Sequence, residues 1–417
     1  MPGPFFVGRI HKISNLWYTM PKRVRVFAPV TMVHRERKDA SMRIKSKNVW
    51  VDEAFIPAVV ELSGDRIESV LPGDGRADVD YGEHRILPGL IDTHTHGYGG
   101  GDASDGNPDT IRNWIPYYPK EGVTTFLPGT VTRSEARILQ AMHAIAEADE
   151  ERIEGANLYG IFLQGPYTSH DFKGAYDPYL IQKPSVEQFK MFQEASGNRI
   201  KMIGLAVEQD EGHQLLKYCV ERGIIVSMGH SGALYDEAYQ AYTEGASNIT
   251  HCFNNMIPLH HREPGLPGAA LTIRGLYTEV IADGIHIHPA VINLIGTMKG
   301  KDKLIVITDS SRYKGLKPGY YESVDRKVTI GEDGVGRLPS GKLAGSCITL
   351  SQSVKNLMDL ADLPEATAIN AATINPARML GIGDRKGLLK SGYDADIAVL
   401  DADFKSVQTY VGGKAML

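Results

Sequence analysis

Residues able to do hydrolytic chemistry recur just after short apolar runs of this 417-residue chain. His94 and His96 stand in Asp92-Thr93-His94-Thr95-His96, Gln164 opens Gln164-Gly165-Pro166, and His230 lies in Gly229-His230-Ser231. His251 follows Thr250, His286 ends Asp283-Gly284-Ile285-His286, and Asp309 follows Thr308. Side chains alternate along a strand, so His94 and His96 point to one side, which suits two imidazoles converging on one metal. A lone histidine at a strand end is more often a hydrogen-bonded structural residue than a ligand. The joint pattern is different: five of the 14 histidines fall at strand ends, with an aspartate closing the last strand. Such a set supplies the N and O donors of a zinc- or iron-type hydrolytic centre. Asp309 alone could equally cap a helix; the surrounding histidines favour a role in proton transfer.

These residues need a frame that brings strand ends together. Apolar runs alternate with amphipathic stretches at Ile86–Ile91, Val123–Leu127, Leu158–Leu163, Lys201–Val207, Ile224–Met228, Asn248–Phe253, Thr278–Ala282 and Leu304–Ile307. Eight β/α units predict a TIM-type (β/α)8 barrel, whose active site lies at the carboxyl ends of its strands. Helices are expected over Ser134–Ala148, Ser185–Glu194, Gly212–Arg222 and Tyr235–Glu244, with Gly223 and Gly245 as stops. The first 85 residues read as β-structure: Val24–Phe27, Val49–Val51, Ala58–Leu62 and Arg66–Val70, with a hairpin at Ser63-Gly64-Asp65. Strand texture returns at Ala395–Leu400 and Ser406–Val411. The expected organisation is a barrel over 86–345, helices packing on it over 346–390, and a small β-sandwich from residues 1–85 (with an N-terminal arm) and 391–417.

Composition narrows the partners. A net charge of −5 offers no basic surface for nucleic acid or an acidic membrane. No apolar run reaches the roughly 18 residues a membrane span needs, and Met1–Val7 lacks the basic region of a signal peptide. Three scattered cysteines, Cys219, Cys252 and Cys347, draw no disulfide framework or CxxC site, which fits a reducing cytoplasm. Cys252 could be read as a nucleophile, but its apolar run Thr250–Phe253 favours a buried strand thiol. The polar loop Leu259–Gly265 reads, on its residues alone, as a solvated turn.

Leu87-Pro88-Gly89-Leu90-Ile91-Asp92 followed by His94-Thr95-His96 resembles the opening signature of the amidohydrolase superfamily. Gly229-His230-Ser231, Thr250–Met256, Leu259–Gly265, Ala282–His286 and Thr308-Asp309 resemble N-acetylglucosamine-6-phosphate deacetylases, over about residues 55–415. The resemblance implies a hydrolase releasing acetate from N-acetylglucosamine 6-phosphate. It implies one or two divalent ions, Zn2+ ahead of Fe2+, Mn2+ or Co2+. His230 and His251 would bind the main ion with residue 164, His94 and His96 a second or alternative one, and Asp309 would be general base and acid. His286 would act at the reacting amide, Asn254 and Asn255 would hold the sugar phosphate, and Arg262 would reach the neighbouring site of a homodimer.

Two positions depart from the family pattern. The usual Glu-Gly-Pro reads Gln164-Gly165-Pro166, replacing a carboxylate ligand with a neutral amide that binds metal more weakly. The histidine expected after Lys173-Gly174-Ala175 is Tyr176, a substrate-facing position, which leaves N-acetylgalactosamine 6-phosphate open as substrate. Gln164 also admits a protein that binds a sugar phosphate without turning it over. A cyclic-amide hydrolase is disfavoured, because no lysine stands at the end of the third or fourth run to bridge two metals.

Overall fold

The computed structural model describes residues 41–322, 327–332 and 334–417. Val24–Phe27 and the arm before it lie outside the described residues.

Eight strands form the barrel: β1 Leu90–Thr95, β2 Val123–Thr130, β3 Ile161–Leu163, β4 Ile200–Leu205, β5 Ile225–Met228, β6 Asn248–Ile249, β7 Tyr277–Ile281 and β8 Leu304–Ile307. Each pairs in parallel with the next. Closure comes from the Thr95–Ser310 bridge, with Asp309 N–H donating to His94 O and His96 N–H to Ser310 O, each at 2.8 Å. The seam of the barrel therefore runs directly beneath the His-Thr-His motif.

Ile91, Leu127, Phe162, Met202, Ile281 and Ile305 fill the interior, and Ala377, Met379 and Leu380 from the C-terminal helical segment close one end of it. Burial on both faces explains why the strands read as continuous apolar runs. Helices cover the outside. Glu135–Glu150 buries Ile138, Met142 and Ile145, and Val186–Ala195 starts at Ser185, whose Oγ accepts from Gln188 N–H at 3.2 Å. No helix among the described residues is long and apolar enough to cross a membrane.

Both ends of the described chain join one eight-stranded sheet. Met42–Val51 pairs antiparallel with Ala54–Ser63, which forms a hairpin with Arg66–Pro72 across Gly64-Asp65. On the other side Arg85–Pro88 pairs with Ile397–Leu400, and that strand with Ser406–Val411. The sheet rolls on itself: Ile67 N–H donates to Tyr393 O and Gly392 N–H to Ile67 O, each at 2.8 Å, and Arg66 bridges Asp394. Ile44, Val60, Ile67, Ile86, Ile397 and Val399 are enclosed within it.

The expected run Ile86–Ile91 is in fact two strands. Arg85–Pro88 belongs to the small sheet, and β1 starts only at Leu90. Gly89 N–H still donates to Asp396 O at 2.8 Å, and the chain changes partner at Leu90, whose N–H donates to Gly122 O at 3.0 Å. The long loop after β8 carries a three-stranded antiparallel sheet, Gly319–Glu322, Lys327–Ile330 and Gly336–Arg337. Leu350–Asp359 and Glu365–Ala372 are helical, in line with the helices expected over 346–390.

An ion pair anchors the start of that loop to the base of β2. Lys314 Nζ lies 2.7 Å from Glu121 Oε2, with the two side chains 1% and 2% exposed. Removing one partner of a buried pair leaves an uncompensated charge, at a cost of about 3–5 kcal/mol. Lys314→Met is therefore expected to lower unfolding stability by roughly that amount. Denaturant titration would check it, and a loss below about 1 kcal/mol would show that Glu121 escapes to water or is neutralised.

Candidate metal centre and active site

The end of β1 turns two imidazoles inward. Leu90 packs in the outer core, and strict alternation would send His94 outward with it. A register shift between Asp92 and Thr95 breaks the alternation, and the His94 ring packs edge-on against Phe162 of the interior at 4.7 Å. His94 Nε2 and His96 Nε2 then lie 3.1 Å apart. Asp309, just past β8, places Oδ1 3.4 Å from His94 Nε2 and 3.1 Å from His96 Nε2. No helix begins at Asp309, so the capping alternative falls away.

A second group faces the first. His230 past β5 and His251 past β6 bring their Nε2 atoms to 3.2 Å, and Gln164 past β3 sets Nε2 3.1 Å from His251 Nε2. The two histidine pairs adjoin, with 5.7 Å between the ring centres of His94 and His251. Gln164 sits tight against β4: a Cβ at residue 204 would stand 2.6 Å from Gln164 O, which is why glycine is there. Tyr176 O–H donates to Gln164 Oε1 at 2.5 Å, and its ring lies 4.8 Å from that of His230.

Backbone strain concentrates here. His230, His251 and Asp309 have φ of +48°, +31° and +46°, in the left-handed region that non-glycine residues rarely occupy. Such strain persists where surrounding structure over-determines it, and it clusters at active sites. The bracing is visible beside Asp309. Buried Asp92 accepts from Thr308 O–H at 2.6 Å and from His94 N–H at 3.3 Å, tying β1 to β8. Burial raises the Asp92 carboxyl to about 6, against the opposing pull of Lys314.

The outer nitrogens decide what the inner ones can do. His96 Nδ1 meets Gly129 O at 2.6 Å and His230 Nδ1 meets Phe172 O at 3.0 Å. A carbonyl only accepts, so each Nδ1 carries a proton and each Nε2 is the atom left to face inward. His94 Nδ1 meets Glu279 Oε2 at 3.0 Å, with the same consequence. Lone pairs of His94 and His96 facing each other at this distance repel unless a proton or a cation lies between them. The donor set therefore fits a divalent ion, and the ligand atoms of His94, His96 and Asp309 all lie within 4.8 Å of one another.

Electrostatics agree. Burial, with help from neighbouring imidazoles, pushes His230 down to about 4 and His251 well below its ordinary value. Burial works against the charged form of Asp309, but His94 and His96 outweigh it and hold the carboxyl far below its usual range. His94 is raised despite burial, because Asp309 and Glu279 flank it.

The centre opens into a cavity of about 340 Å3 lined by Tyr176, Asn254, Asn255 and His286 as well as His96, Gln164, His230, His251 and Asp309. His286 Nδ1 lies 2.6 Å from Asp283 Oδ2; burial disfavours its charge, but Asp283 raises it overall. Arg262 does not reach this cavity. It lies exposed in the Leu259–Gly265 loop, 2.8 Å from His261 Nε2. Cys252 is fully buried and its thiol is pushed up to about 12, so it is no nucleophile. Glu279 is the site residue that motif reading missed. Its signal is a carboxylate set between Tyr277 and Ile281 at alternate positions of a buried barrel strand.

Residues 85–416 match the Amidohydrolase family. An N-acetylglucosamine-6-phosphate deacetylase from Bacillus subtilis is 39% identical, covering 79% of this chain and 83% of its own. An N-acetylgalactosamine-6-phosphate deacetylase from Escherichia coli O157:H7 is 34% identical, over 79% and 87% of the two chains. Among solved structures, an Asp-to-Ala variant of the Mycobacterium smegmatis N-acetyl-D-glucosamine-6-phosphate deacetylase, in complex with N-acetyl-D-glucosamine-6-phosphate, superposes with a TM-score of 0.85. It is 29% identical and covers 91% of this chain and 100% of that one. The chain belongs to the amidohydrolase family, in the branch that holds the N-acetylglucosamine-6-phosphate deacetylases.

Proposed function

We propose that this protein hydrolyses the acetamide of N-acetylglucosamine 6-phosphate to glucosamine 6-phosphate and acetate. The observation that carries the reading is the meeting of His96, His230, His251 and Asp309, backed by buried His94, in a cavity that Asn254, Asn255 and His286 also line. Amidohydrolases typically depend on divalent metal, and the His94–His96–Asp309 cluster is built for one. His94, His96 and Asp309 on one side, and His230, His251 and Gln164 on the other, would hold one or two such ions, Zn2+ before Fe2+, Mn2+ or Co2+. The chemistry such an ion supplies is acidification of water and polarisation of the amide carbonyl.

Asp309 takes the proton of the attacking water and returns it to the departing amine. His286, steadied by Asp283, donates to the oxygen on which negative charge develops. Asn254 and Asn255 hold the sugar phosphate. Arg262, exposed and outside its own cavity, serves the neighbouring site of a homodimer. The setting is cytoplasmic, in keeping with three unpaired cysteines.

Tyr176 favours a second reading, N-acetylgalactosamine 6-phosphate, because it lines the cavity where the family pattern has histidine. Acetate release from both sugars by metal-reconstituted protein, beside Gln164→Glu, tests the function. N-acetylglucosamine 6-phosphate is expected to be turned over faster, and Gln164→Glu to be at least as active as the parent. Activity in the Glu variant alone would mean that the amide disables this chain. Metal retained by both with no acetate from either sugar would sink the substrate reading and favour a sugar-phosphate-binding protein.

A further inference from the structure

The two departures from the family pattern touch each other. Tyr176 O–H donates to Gln164 Oε1 at 2.5 Å, so the amide oxygen, the atom that could face a cation, already has a partner. Its other end presents Nε2, a donor, to His251 Nε2 at 3.1 Å. In this orientation the amide offers a cation an N–H in place of an oxygen, and the pair brings no negative charge.

The two halves of the centre then differ in two ways. The first half has a carboxylate, Asp309 Oδ1, within 3.4 Å of both of its imidazoles, whereas the second has only the amide. Both imidazoles of the first half are fixed by acceptors on Nδ1, Glu279 for His94 and Gly129 O for His96. In the second half only His230 is fixed, since His251 Nδ1 is buried without a hydrogen-bond partner. Fixing the outer nitrogen raises ligand basicity and removes the cost of choosing a tautomer; its absence typically costs 10–100-fold in metal affinity.

We propose that Gln164 and Tyr176 act as a coupled pair that withdraws the His230–His251 half from tight metal binding, leaving a single high-affinity ion on His94, His96 and Asp309. The proposal rests on the metal-centre reading above and not on the substrate. Tyr176 is a positioning residue here: it acts through the Gln164 oxygen.

Cobalt(II) titration of the metal-stripped full chain, followed by the visible absorption of the bound ion, tests this without activity. The parent is expected to bind one equivalent tightly. His94→Ala, and independently Asp309→Asn, should weaken that equivalent at least tenfold, whereas His230→Ala should change it less than threefold. Tyr176→Phe should likewise leave it within threefold, and Gln164→Glu should add a second tight equivalent. Loss of the first equivalent in His230→Ala with retention in His94→Ala would overturn the proposal. So would two equally tight equivalents in the parent. One bound equivalent with no acetate release from either sugar would leave the proposal standing and remove only the substrate. A parent that binds no cobalt would remove the metal centre and the proposal together.

Discussion

Asp309→Asn is expected to lower turnover by roughly a hundred- to ten-thousand-fold, the range that a positioned acid–base group contributes. The substitution keeps the shape of the side chain but removes both its charge and its ability to accept a proton near neutral pH. The structure shows why no neighbour can stand in. Glu279 is buried and engaged with His94 and Asn248, and Asp92 is occupied with Thr308 and His94 N–H. Asp283 is paired with His286. Because Asp309 also faces both His94 and His96, its loss weakens metal binding as well, and the two effects must be separated. Turnover measured at saturating metal isolates the proton-transfer loss. Sugar-phosphate affinity measured in the same variant should be largely kept, since the phosphate is assigned to Asn254 and Asn255. Turnover within tenfold of the parent at saturating metal would remove Asp309 from the chemistry.

Much of this site was legible because histidine and aspartate are conspicuous at the ends of apolar runs. The eight runs lead to the eight barrel strands, and every strand-end group singled out on spacing meets at one end of the barrel. What could not be read was geometry set by long-range packing. Ile86–Ile91 looks like one strand because apolar content does not show where a chain leaves one sheet for another. Asn248–Phe253 looks longer than β6 because the left-handed φ of His251 and Phe253, at +31° and +71°, turns the chain after Ile249. Nothing in composition announces that turn. The alternation argument for His94 and His96 reaches a correct juxtaposition, but the chain attains it through a register shift. The contact between Tyr176 and Gln164 spans only 12 residues, yet no spacing rule connects them. Both were noticed as departures, and only the fold shows that they are one.

Glu279 was hidden for a related reason: a single carboxylate inside Tyr277–Ile281 is easily absorbed into a strand. It should prove the most sensitive residue outside the metal-facing set. Its side chain is fully buried, with Oε2 at 3.0 Å from His94 Nδ1 and Oε1 accepting from Asn248 Nδ2 at 2.9 Å. Glu279→Gln keeps the volume and can keep both contacts, because Asn248 Oδ1 has no partner and can turn to meet an amide N–H. The charge behind His94 is what disappears. Losing such an outer partner typically lowers metal affinity 10–100-fold, and that is the expected result here, read by competition with a chelator. The thermal midpoint of the metal-free protein should change little, because Asn248 has one unpartnered amide atom before and after the turn. Turnover should recover when metal is added in excess, since Glu279 is fully buried and does not line the cavity. A purely structural role predicts the reverse: a lowered midpoint with metal affinity unchanged. The two measurements together therefore decide whether Glu279 sets the basicity of His94 or simply fills the barrel.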